Sequence, residues 1–424
     1  METATPVNTS AFKEALQDQP SALSAHHGQQ VNDARSLAAI TPFPTTKSEA
    51  WKYTRTGRIT NQPWHVTPRP ATNVRIEDPL EGLVTSGKIV FINGQLSSAQ
   101  LTEEAAACLR IDTEGNLPVR LLPQLHGDAF NEMHTGWCTS VIQLHIREGA
   151  QLQHPVHLIH RITGKEVWAQ PLVVIYAGAG SNAAFVESFL STSTDDHSFT
   201  HRRLWAELAE NAQLHLDKIQ GETGENFLLN REQVSLQRDA RFHINTLSLN
   251  GNWIRNELSI SLEGPNAHAG LNGLFLPVQQ QTVDNHTRVD HKAAHCESRE
   301  LYKGMLRDQS TGVFNGKVFV HPDAQKTNAY QSNANILLSD EAQMYTKPEL
   351  EIYADDVKCS HGTTTGQLDE AAVFYLKARG IGEENARRLL TNAFLSDVLE
   401  EVKHAAVRDF VLRDLSQRGL LYNE

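Results

Sequence analysis

The stretch Asn211-Ala212-Gln213-Leu214-His215-Leu216-Asp217-Lys218-Ile219 opens with a short polar turn around a small alanine and continues as an alternating run. Period-two alternation is the pattern of a strand with one buried face. The same unit returns as Asp239-Ala240-Arg241 ahead of Phe242-His243-Ile244-Asn245-Thr246-Leu247, and related turns are Gly149-Ala150-Gln151, Asn182-Ala183-Ala184, Asn266-Ala267-His268, Asp323-Ala324-Gln325 and Glu341-Ala342-Gln343. The turns at 149, 182, 211, 239 and 266 lie 27 to 33 residues apart. No helical pattern intervenes, so the segment fits a β-sandwich or a stacked β-solenoid. A span of about 220 residues is long for one sandwich, and a turn recurring at similar intervals is what a coiled sheet needs. A β-helix is therefore expected over residues 139–365. Its open end coils need a cap or a partner for their edge hydrogen bonds.

Toward the N-terminus, residues 1–138 read as a helical and mixed region. Asn8-Thr9-Ser10 can cap a short helix carrying Phe12, Ala15 and Leu16, and a second helix is expected from Val31 to Ile40, before Thr41-Pro42-Phe43-Pro44. In Trp51-Lys52-Tyr53-Thr54 the aromatics are readable as a nucleic-acid stacking surface or as an anchor for the N-terminal arm. The acidic charge of the chain favours the anchor. Lys88-Ile89-Val90-Phe91-Ile92-Asn93-Gly94 predicts a buried strand ending in a turn, and Thr102 is placed to cap a helix running to Leu109.

Toward the C-terminus, residues 366–424 switch to helical periodicity. Three helices are expected, over 369–379, 383–402 and 405–417, the first stopped by Gly380. They read either as a cap on the last coil or as a docking surface for a partner. Between them and the repeats lies Lys347-Pro348-Glu349-Leu350-Glu351-Ile352-Tyr353-Ala354-Asp355-Asp356-Val357-Lys358-Cys359-Ser360-His361-Gly362. Leu350, Ile352 and Ala354 share one face, and if extension resumes after Asp356, so do Val357, Cys359 and His361. A two-residue step is about 6.6 Å, short enough for a thiol and an imidazole to converge on one small object. Gly362 would leave the backbone beside the imidazole free to bend or to be approached closely.

Bulk composition narrows the function classes. The 424 residues carry 38 Lys and Arg against 50 Asp and Glu, a net charge of −12, which argues against nucleic acid or an anionic membrane as the main partner. Neither a secretory signal nor a bilayer-spanning run is visible, so a cytoplasmic protein is expected. The four cysteines, Cys108, Cys138, Cys296 and Cys359, form no Cys-x-x-Cys pair and suggest no disulfide framework.

With these motifs in hand, the chain resembles the SufB/SufD family of iron–sulfur cluster assembly proteins, most closely its SufD branch, since the N-terminal cysteine cluster common in SufB is missing. The resemblance rests on residues 43–54, 90–94, 284–291, 298–303, 313–316 and 347–362. It implies a right-handed parallel β-helix between helical terminal regions and a non-catalytic scaffold role in a complex of SufB, SufD and the ABC-type ATPase SufC. It further implies that a SufB-like chain pairs through the β-helix and that a SufC-like ATPase docks on the C-terminal helices; a homodimer of the isolated chain stays open as an alternative. A transient iron–sulfur cluster, or iron, would be shared with SufB at their interface, where Cys359 and His361 match the residues placed as ligands. No phosphate-binding loop is present: Gly312-Val313-Phe314-Asn315-Gly316-Lys317-Val318 is one residue short and lacks the hydroxyl, so ATP hydrolysis is expected of the partner.

Read from the residues alone, Cys359 and His361 fit better as a buried thiol and a hydrogen-bonded imidazole of the last coil, and it is the family match that favours the ligand reading. Asp284-Asn285-His286-Thr287-Arg288-Val289-Asp290-His291, with His295 and Cys296, is open to a metal reading, but an arginine at the centre of its polar face favours structural cross-coil pairs. Other candidates are a β-helix enzyme on acidic polysaccharide, which would need clustered carboxylates, and a purely structural SufB partner or SufB-like scaffold.

Overall fold

Each turn-and-strand unit becomes part of one coil of a parallel β-helix of about eight turns, seen in a computed structural model that describes residues 19–66, 80–191 and 193–420. The helix expected around Phe12 lies outside the described residues. Each coil gives one strand to each of two sheets. Sheet A runs through Leu109–Asp112, Ser140–Ile146, Pro171–Ala177, His197–Leu208, Glu225–Leu236, Trp253–Leu262, Thr282–His291, Thr311–Val320 and Gln343–Ile352. Sheet B runs through Gln95–Leu101, Gly87–Ile92, Val156–Ile162, Asn182–Ser191, Gln213–Gly221, Arg241–Asn250, His268–Phe275, Glu297–Leu306, Thr327–Leu337 and Val357–Gly366. Both sheets thus begin ahead of residue 139, with the strand expected at Lys88–Gly94 paired to Val156–Ile162. The helix Glu103–Cys108 starts as predicted, with the Thr102 hydroxyl accepting from the Ala105 amide.

The corner between sheets A and B explains the repeat. Gly149, Gly180, Asn211, Asp239, Asn266, His295 and Lys326 stack in one column, all with φ between 57° and 68°. This left-handed conformation is open to glycine and tolerated by Asn and Asp through local hydrogen bonds. The amide of each donates into the next coil, as from Asn211 to the Arg238 carbonyl at 2.9 Å and from Lys326 to that of Asp356. The next residue points into the bend and must be small: Ala150, Ala212, Ala240 and Ala267 are buried there. Two of the predicted turns need re-registering. Gly180-Ser181-Asn182, not Asn182-Ala183-Ala184, is the equivalent corner, and near residue 323 the left-handed position lies at Lys326. Glu341-Ala342-Gln343 belongs to the opposite corner and opens a strand of sheet A. Cys296 occupies the alanine position of its coil, buried, its thiol 3.3 Å from the Gly264 carbonyl, and is structural.

The lumen combines apolar side chains with hydrogen-bonded polar ones, and it holds a layer of paired charge. Arg202 donates to Glu187 and Glu232, Lys218 donates to Glu232 at 2.7 Å, and His160 meets Glu187 at 2.8 Å. All of these side chains are buried. A balanced, fully hydrogen-bonded set is the only affordable way to hold charge there.

The N-terminal arm is clamped to the outer face of sheet A, which settles the aromatic motif as an anchor. Trp51 lies under the Arg255 guanidinium, 3.9 Å from its ring centroid, and Tyr53 stacks on Tyr345 at 4.2 Å. Thr54 hydrogen-bonds Asp284, and Lys347 pairs with Glu49 at 2.7 Å. Asp284, buried, also meets Arg255 and His286, so its carboxyl is held down to about 2 mainly by Arg255, against its burial. The 284–291 cluster is therefore a set of structural pairs, cross-coil where Arg255 meets Asp284 but within the strand where His286 meets Asp284 and Arg288 meets Asp290.

The three C-terminal helices are Glu370–Ala378, Glu383–Glu400 and Ala405–Gln417. They do not cap the last coil. The second and third lie along the outer face of sheet B, burying Leu395, Val398, Val407, Val411 and Leu415 against Ile219, Leu247, Leu274 and Met305. That contact uses the apolar stripe seen in the sequence.

Candidate functional site

The C-terminal end of the solenoid is left open. Gln343–Ile352 and Val357–Gly366 end their sheets, so each presents a row of backbone groups with no strand beyond it among the described residues. Extension does resume after Asp356, and the strand runs unbroken through Gly362, which pairs with Ser332 and has open space where a Cβ would sit. Of the two freedoms that Gly362 offers, the backbone does not use the bend, and the space beside it stays open to close approach.

Register places both candidate ligands on the inward-facing side of this last strand. Cys359 tops the column Ala183, Leu214, Phe242, Ala269, Ser298 and Ala329. His361 tops Phe185, Leu216, Ile244, Leu271, Glu300 and Gln331. In any interior coil these positions are core. Here no coil among the described residues covers them, and His361 is exposed while Cys359 is half-buried beside Val318, Val320, Ala324 and Ala329. Burial pushes the Cys359 thiol above its ordinary value, partly offset by a backbone hydrogen bond from Ala329. Cys138 is different: fully buried, its thiol is pushed up to about 12.

The column beneath His361 turns polar only near the open end. After four apolar residues come Glu300 and Gln331, both buried, with Gln331 donating to Glu300 at 2.7 Å. Sequence reading did not single out either, although Glu300 lies about 30 residues behind Gln331 and twice that behind His361, the coil spacing. Burial raises the Glu300 carboxyl to about 7. A raised carboxyl means that the folded state holds the proton more tightly than the unfolded chain, so stability falls as pH rises from the ordinary carboxyl range to about 7. Glu300→Gln keeps the hydrogen bond without the titration. It is expected to be more stable than the parent at pH 8, by up to about 3 kcal/mol, and to lose that advantage at pH 5, in urea unfolding at the two pH values.

The chain matches the family model described as SUF system FeS cluster assembly, SufBD core domain, over residues 160–394. It is also 30% identical to the iron–sulfur cluster assembly protein SufD of Escherichia coli, over 89% of this chain and 90% of that one. The chain belongs to the SufB/SufD family. The chain is also similar to an iron–sulfur cluster assembly SufBD family protein of Synechocystis, 28% identical over 78% of each chain, and to the chloroplastic protein ABCI7 of Arabidopsis thaliana, 26% identical over 90% of this chain and 84% of that one. Membership gives this protein a role in iron–sulfur cluster assembly by the SUF system. The parallel β-helix of this SufB/SufD member carries the sequence signature 347–362 to its open edge. No helix among the described residues is long and apolar enough to cross a membrane.

Proposed function

We propose that the chain is a scaffold subunit of a SufBCD-type complex, with its open terminal coil pairing with a SufB-like chain and Cys359 and His361 supplying part of a nascent-cluster site. The observation that carries this reading is a half-buried thiol and an exposed imidazole, two positions apart, on an edge with no strand beyond it among the described residues. Thiolate and imidazole both bind iron, and two ligands are too few to hold a cluster. A cluster bound there is cargo, completed and released across an interface. The edge can also pair with a second copy when the chain is alone.

The C-terminal helices suit a second partner. Phe374 and Tyr375 of the first helix are 73% and 57% exposed, while only Val373 of that helix is buried. Adjacent exposed aromatics mark an interaction surface, here assigned to a SufC-like ATPase. Purifying the tagged chain from its native extract is expected to recover both an ABC-type ATPase and a SufB-like chain. Phe374→Asp with Tyr375→Asp should cut ATPase recovery at least tenfold and leave the SufB-like chain bound. Equal ATPase recovery would contradict that placement, and recovery of neither protein by the parent would overturn the scaffold reading.

A further inference from the structure

A second group of metal-binding side chains lies on the outer face of sheet B, away from the open end. His215 and Asp217 project outward from the strand Gln213–Gly221, and His404 comes from the segment linking the second and third C-terminal helices. The Asp217 carboxylate receives both rings, His215 Nε2 at 2.8 Å and His404 Nδ1 at 2.6 Å, and the Asn245 amide at 2.7 Å. One nitrogen of each imidazole and one carboxylate oxygen lie within 4.8 Å of one another. His243, one coil on, stacks on His215 with centroids 5.0 Å apart, and its Nε2 is 4.0 Å from the Glu401 carboxylate. A Cβ at position 270 would fall on the His243 ring, so Gly270 makes the room that this imidazole occupies.

We infer that His215, Asp217 and His404 form a site for one first-row divalent transition ion, such as Zn²⁺ or Fe²⁺, with His243 and Glu401 at its margin. Two imidazoles and one carboxylate are the donor set that such ions take, with positions left open for water or a further ligand. Asp217 is buried, whereas His215 and His404 each keep 13% of their side-chain surface. A groove of about 900 Å³, lined by His215, His243, Glu401 and Lys403 and reaching His361 at the open edge, gives an ion a route in. The site is specific to this coil pair, because Arg299, Tyr330 and Ser360 follow His215, His243 and Gly270 in the same outward column. It is also composite: an ion held there would tie residues 401–404, and with them the C-terminal helices, to the β-helix. That is a role separate from cargo binding at the open edge.

The test uses the full chain carrying Cys359→Ala and His361→Ala, so that the edge pair contributes nothing. Metal-stripped protein is titrated with Co²⁺, followed by its visible absorption, and then with competing Zn²⁺; thermal unfolding is recorded with and without Zn²⁺. One equivalent is expected to bind, with at least tenfold weaker affinity after His404→Ala and after Asp217→Asn, and Zn²⁺ should raise the unfolding temperature of the parent but not of His404→Ala. His404 sits on the linking segment, and matching far-ultraviolet circular dichroism checks that its variant is folded. Absence of saturable binding by the parent, or equal affinity in parent and His404→Ala, would overturn the assignment.

Discussion

His361→Ala is expected to abolish cluster formation in the assembled complex while leaving the subunit folded. His361 is exposed on a terminal strand, where loss of a side chain ordinarily shifts stability by no more than about 0.5 kcal/mol. Its proposed contribution is chemical: it is one of only two ligand-type side chains on the inward face of the last strand. Urea unfolding of the isolated variant should match the parent. Complexes purified without oxygen should differ sharply, with iron and acid-labile sulfide near background in the variant. Cys359→Ala should act in the same direction, with an added packing cost because the thiol is half-buried among valines and alanines. Normal iron and sulfide loading in the His361 variant would remove the imidazole from the mechanism and leave the chain a structural partner.

The largest effect on stability is expected far from this edge, at Arg202. Its guanidinium is fully buried between Glu187 and Glu232, and Lys218 satisfies the rest of Glu232. Arg202→Met fills similar space with no charge, leaving two buried carboxylates with one ammonium and a histidine. Breaking one partner out of a buried ion set costs about 3–5 kcal/mol, because the remaining charge stays desolvated. Equilibrium unfolding in urea should show a loss of that size with an unchanged slope. A loss below about 1 kcal/mol would mean that water reaches the lumen and screens the layer.

The contrast between these two sites shows what the sequence could and could not reveal. The coil repeat was legible because the left-handed corner restricts residue choice, giving Asn211, Asp239 and Asn266 before a buried alanine. It blurred where the corner is Gly180, which resembles any loop glycine, and at Lys326, which no propensity favours. The C-terminal helices were legible as helices, but not their place along sheet B, because an apolar stripe does not name the surface that covers it. Cys359 and His361 stood out through the 347–362 signature and a two-residue spacing. Glu300 and Gln331 beneath them did not, since stacking across coils is a long-range relation set by register. His215, Asp217 and His404 were still less accessible, being 187 residues apart at Asp217 and His404 and brought together only by helix docking.

The central claim is that another polypeptide closes the edge carrying Cys359. The most direct check is the alkylation rate of Cys359, followed by mass spectrometry of its peptide, in the isolated chain and after addition of the SufB-like chain. Cys359 should label readily in the isolated, dilute chain and be protected at least tenfold in the complex, while the half-buried Cys108 labels equally in both. Equal labelling of Cys359 with and without the SufB-like chain would contradict the account.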